Sequence, residues 1–106
     1  MTAKAEDTQL RLSSLLESAR RRLNVTALVL ADDQGLLITG AGRYSACETL
    51  AALAPLSRGA RRQLTLELWG QAIHLCAPCP FVDRPLAEQV LRQAREVLAP
   101  PLSWVA

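Results

Sequence analysis

The stretch Val25-Thr26-Ala27-Leu28-Val29-Leu30-Ala31 is followed by Asp32-Asp33-Gln34-Gly35 and then by Leu36-Leu37-Ile38-Thr39-Gly40. The first seven residues are aliphatic or β-branched with no polar alternation, the signature of a strand buried on both faces. Two adjacent aspartates and a glycine make a turn, because Gly35 takes φ > 0 without steric cost. The chain therefore returns as a second arm, and the whole reads as a hairpin whose first strand lies inside a sheet covered on both sides.

Helices flank this hairpin. Upstream, Leu12, Leu15, Leu16, Ala19 and Leu23 recur at helical spacing, with Arg20, Arg21 and Arg22 at the end that faces the negative pole of the helix dipole. Asp7 or Thr8 is the expected cap, residues 1–7 the expected flexible lead, and Asn24 the expected stop. Downstream, Ser45-Ala46-Cys47-Glu48 fits a capping box and predicts a helix from Ala46 that Pro55 ends or kinks. Apart from Glu48 and Thr49 this second helix is apolar nearly all round. One sheet face cannot bury all of it, so something must cover its outer side.

The remaining chain repeats the theme. After the basic loop Ser57–Arg62, Leu64, Leu66 and Leu68 alternate with Thr65, Glu67 and Trp69 as a half-exposed strand, and Ala72–Ala77 returns beyond Gly70. Asp83 and Pro85 open a third helix with Leu86, Val90, Ala94, Val97 and Leu98 as its apolar stripe. Pro100-Pro101 stops it. The expected organisation is one domain over 8–99 and an apolar tail over 100–106. The fold class is α+β: an antiparallel sheet of four strands, or five if a short edge strand is present, with the first and third helices on one face and the second on the other.

Composition narrows the function. With 106 residues, 50% apolar and 21% charged, the chain supports one core and no second domain. A net charge of +2, scattered arginines and 4% aromatics exclude the basic stripe and stacking platform of a nucleic-acid binder. No apolar run approaches the roughly 18–20 residues that span a bilayer, the N-terminus carries no secretory signal, and three cysteines suit a reducing cytoplasm.

In the opening helix ending Arg20-Arg21-Arg22-Leu23, the hairpin Ala27–Ile38, the exit Gly40-Ala41-Gly42 and the helix Glu48–Ala54, the sequence resembles the Roadblock family of dynein light chains and their bacterial relatives, which include activators of Ras-like GTPases. The resemblance covers roughly residues 8–56 well and the remainder in outline. It implies a profilin-like sandwich that dimerises, works without a catalytic residue or cofactor, and holds a small GTPase or another Roadblock-type subunit. The face expected to carry the contact is Glu48, Thr49, Ala52, Leu53 and Leu56. Family members generally have three strands between the second and third helices. This sequence shows two, so one edge strand is absent or very short, and Pro55 shortens the helix that faces the partner.

Two other readings come from the cysteines and from the apolar helix. His74-x-Cys76-x-x-Cys79, joined by Cys47, has the residue types of a zinc site, and Cys76-Ala77-Pro78-Cys79 has the spacing of a redox pair. The blander reading is a core cysteine, a hydrogen-bonded histidine and a loop cysteine. A third possibility is a purely structural subunit whose second helix and tail are covered by a different chain.

Overall fold

The computed structural model describes residues 2–57, 59–68 and 70–98, and for residues 2–6 the backbone alone. In chain order the elements are α1 (Thr2–Leu23), β1 (Ala27–Asp32), β2 (Leu37–Gly42), α2 (Tyr44–Leu53), a 3₁₀ turn (Ala54–Leu56), β3 (Gln63–Leu68), β4 (Gln71–Cys76) and α3 (Arg84–Leu98). The strands form one antiparallel sheet in the order β2-β1-β4-β3. The expected α+β sandwich is observed, with four strands among the described residues. The tail at 100–106 lies outside them, as do Arg58 and Trp69.

The position of β1 follows from its side chains. Leu28 and Leu30 join a core with Leu12, Leu16 and Leu23 of α1 and Leu86, Val90 and Ala94 of α3. Ala27, Val29 and Ala31 point the other way, onto Cys47 and Ala51 of α2 and Ala54 just beyond it. All five strand residues are buried, which is why this stretch carries no polar alternation. The β1–β2 turn closes as expected. Asp32 Oδ1 accepts from the Gln34 and Leu36 amides at 2.9 and 3.0 Å, the Gly35 amide donates to the Asp32 carbonyl, and Gly35 has φ 84°.

Two helix starts differ from expectation. Helix α1 begins at Thr2, taking in the positions read as a loose lead, because Ala3, Lys4, Ala5 and Glu6 are all strong helix formers. Helix α2 begins at Tyr44, with extended Arg43 as its cap and no side-chain capping bond. Ser45 then lies inside the first turn, past the position from which a hydroxyl caps, so the capping box is not made.

The stops hold. Asn24 takes φ 56°, and the Val25 and Asn24 amides donate back to Arg20 and Arg21, a Schellman closure. Pro55 ends α2 at Leu53 by turning the chain into the 3₁₀ segment. Asp83 caps α3 by accepting from the Leu86 amide at 3.1 Å.

Candidate functional site

Helix α2 lies on the sheet through small residues. Cys47, Ala51 and Ala54 meet Ala27, Val29 and Ala31, and a Cβ built on Gly40 would stand 2.9 Å from Cys47 Sγ. The helix backbone therefore runs close to the strands, and its larger residues have nowhere to go but outward or along the rim. Leu50 is half-buried, whereas Glu48, Thr49, Ala52, Leu53 and Leu56 are all exposed, Leu53 by 38% and Leu56 by 82%. All five residues expected to carry a contact thus lie at the surface of α2 and the turn that follows it.

The face extends beyond those five. Tyr44, 70% exposed, is one turn before Glu48, whose negative charge and hydrogen bond raise the tyrosine hydroxyl above its ordinary pKa. The β1–β2 turn abuts the other end of the helix, since a Cβ on Gly35 would lie 3.3 Å from Ala52 Cα. Leu36, next in the chain, is 60% exposed. The spacing 44, 48, 52 could have revealed Tyr44 in the sequence. Leu36 could not be found that way, because a tertiary contact puts the turn beside the helix.

The histidine and cysteines have a different role. His74 is fully buried on the α2 side of β4, with Cys76 on the same side as expected. Its Nδ1 lies 2.8 Å from Thr65 Oγ1 and 3.2 Å from Gln63 Nε2, and its Nε2 lies 3.0 Å from Asp33 Oδ1. Gln63 Nε2 also donates to the Ala54 carbonyl at 3.0 Å, and the Cys76 thiol donates to Gln63 Oε1 at 3.5 Å. An amide nitrogen only donates, so Nδ1 accepts and the Nε2 proton goes to Asp33. Both ring nitrogens are therefore engaged, and none is turned toward a metal.

Nor do the other members of that set converge. Cys47 and Cys76 are buried, Cys79 is exposed, and all three are free thiols. Among the described residues no three His, Cys, Asp or Glu side chains are grouped to hold an ion. Burial pushes the Cys76 thiol up to about 12, so it carries almost no thiolate at neutral pH and lacks the activation a redox pair needs. The arginine run is also partly engaged. Arg20 and Arg21 clasp Glu17 at 2.6 and 3.0 Å, which holds that carboxyl down at about 2, chiefly through the Arg20 hydrogen bond. Among the described residues no helix is long and apolar enough to cross a membrane.

Comparison with known proteins returns no matching family model and no matching curated protein. Solved structures do match. Myxococcus xanthus MglB is similar at 14% identity and TM-score 0.51, over 83% of this chain and 91% of its own. A Roadblock/LC7 domain from Streptomyces avermitilis is similar at 19% identity and TM-score 0.56, over 83% and 94%. A structure described as MglB with tetrameric arrangement gives 14% identity and TM-score 0.57, over 85% and 89%. The chain has a Roadblock-like fold.

Proposed function

From that fold we propose that the chain is a non-catalytic binding module which pairs with a second copy of itself and regulates or scaffolds a Ras-like small GTPase. Another Roadblock-type subunit is the alternative partner of the same face. The contact runs over Glu48, Thr49, Ala52, Leu53 and Leu56, with Tyr44 and Leu36 at its ends. One observation carries this reading: Leu53, at the end of a helix whose inner side is filled by small residues, and Leu56, in the turn after it, are 38% and 82% exposed. Such leucines lose nothing by leaving the chain's own core and gain by being covered. The likeness to MglB structures and the sequence resemblance to Roadblock proteins support the partner class. The three free thiols fit a reducing, cytoplasmic setting.

Light scattering of the native protein over a concentration series, followed by the double variant A52D/L53D, tests the reading. Two carboxylates placed in an apolar contact cost about 3 kcal/mol or more, equivalent to roughly a hundredfold loss of association. The expected result is a dimer that becomes a monomer with unchanged circular dichroism, and that no longer retains a small GTPase in a pull-down. A folded variant that still dimerises and still retains the GTPase overturns the assignment.

A further inference from the structure

The sheet has two edges, and they are treated differently. At β2 the side of the strand is met by α1, where Gln9 Nε2 reaches the Ile38 carbonyl at 3.4 Å and Ser13 meets Thr39 at 3.3 Å. At β3 no further strand pairs among the described residues. Two hydrogen bonds set which main-chain groups face outward there. The Arg62 carbonyl accepts from the Ala77 amide at 2.9 Å, so residues of that parity, Leu64, Leu66 and Leu68, bond to β4. The Gln63 amide donates instead to Ala60, on the other side, at 3.1 Å. Thr65 and Glu67 share its parity and turn their N–H and C=O groups to the open edge. Strand β3 carries no proline or lysine and only one charged residue, few of the devices that usually close an edge to further pairing.

Beside this edge runs a groove of about 590 Å³ between β3 and α3. Leu64, Leu66 and Leu91 give it apolar walls, and one stripe of α3 adds Arg84, Arg92 and Arg95 against a single Glu88. Arg84 and Glu88 approach one another at 3.7 Å. Arg92 and Arg95 have no ion-pair partner among the described residues.

We infer that the β3 edge is a strand-addition site for an extended acidic peptide, whose main chain pairs with Thr65 and Glu67 and whose groove-facing side chains alternate apolar groups with carboxylates for Arg92 and Arg95. Main-chain bonds supply affinity in this mode and alternate side chains supply selectivity. A second copy fits less well. Two β3 strands paired antiparallel about a two-fold axis lay one groove beside the other on the same face of the sheet, so that three arginines and one glutamate meet the same set. The site is separate from the α2 face, so each stands or falls alone.

The test is selection from a displayed library of random ten-residue peptides, followed by fluorescence anisotropy with the dye-labelled consensus. The peptides expected to emerge carry Asp or Glu two or four positions from an apolar residue. Two variants keep the reading falsifiable: E67P, which removes an outward N–H at an edge position where proline is tolerated, and R92E/R95E, which reverses the groove's charge. Each is expected to weaken the consensus peptide at least tenfold with unchanged circular dichroism, while A52D/L53D leaves it bound. No enrichment of acidic sequences, or a consensus peptide that binds either variant as tightly as the native protein, overturns the site. So do two further outcomes: a homodimer that E67P dissociates and the peptide displaces gives the edge to a second copy, and binding seen only after deletion of residues 99–106 gives it to the chain's own end.

Discussion

Gln63 is the residue at which three parts of the chain are tied together. Its amide nitrogen donates to the Ala54 carbonyl at the end of α2 and to His74 on β4, and its oxygen accepts from the Cys76 thiol. All of its side-chain hydrogen-bonding groups are used, and no described buried side-chain nitrogen or oxygen is left without a partner. Gln63→Leu nearly keeps the volume and removes all three bonds at once, although the Ala54 carbonyl still accepts from the Ser57 amide and His74 Nδ1 still meets Thr65 Oγ1. The expected loss is about 2–3 kcal/mol of unfolding free energy, read from the urea midpoint at unchanged m-value. A loss below about 0.5 kcal/mol would mean that water replaces the amide. The sequence placed His74 and Cys76 on one side of a strand, which is a matter of alternation. It could not show that His74 is satisfied from Asp33, 41 positions away, because that pairing arises from strand register and the packing of two hairpin turns. Metal chemistry was readable in the spacing for the same reason that it fails in the fold: spacing says nothing of which partners already occupy the nitrogens.

The α2 layer shows what one element can and cannot disclose. Its excess of apolar residues is a property of helical periodicity, so the exposed outer face was legible from residues 44–56 alone. The depth at which the helix sits was not, since it is set by Gly40 on a strand that precedes it. A methyl at position 40 would lie 2.9 Å from Cys47 Sγ and 3.1 Å from Val29 Cγ1, so Gly40→Ala must push α2 outward or displace the sulfur. The expected cost is about 1–3 kcal/mol. Removing the sulfur relieves the closest contact, and Gly40→Ala/Cys47→Ala is expected to be less destabilised than the sum of the single variants, a coupling of about 0.5 kcal/mol or more in a denaturation cycle. Strict additivity would show that the strand, rather than the helix, yields.

For the whole molecule, the order helix, hairpin, helix, hairpin, helix was readable because each element advertises itself locally by period, turn chemistry or proline. That only two strands lie between α2 and α3 among the described residues was readable too, since no third alternating run occurs between Ser57 and Asp83. If a second copy covers α2, folding and association are linked, and the midpoint of thermal unfolding rises with protein concentration. About 3–5 °C per tenfold increase is expected for a dimer of this size, and Leu56→Ser flattens the dependence. A midpoint independent of concentration would count against the α2 contact. The two covers of β1 are also unequal in a way that bears on motion. One is an aliphatic core shared by two helices, the other a smaller seam of alanines, two cysteines and Val29, edged by Leu37 and Leu50, along one short helix. Dispersion and burial scale with the atoms in contact, so the seam is expected to open before the aliphatic core does, which hydrogen exchange of the β1 amides would read. The face proposed for a partner is thus carried on the thinner layer, and a partner that clamped it would do two things at once: occupy a surface, and slow the opening that exposes the main chain of β1 to solvent exchange.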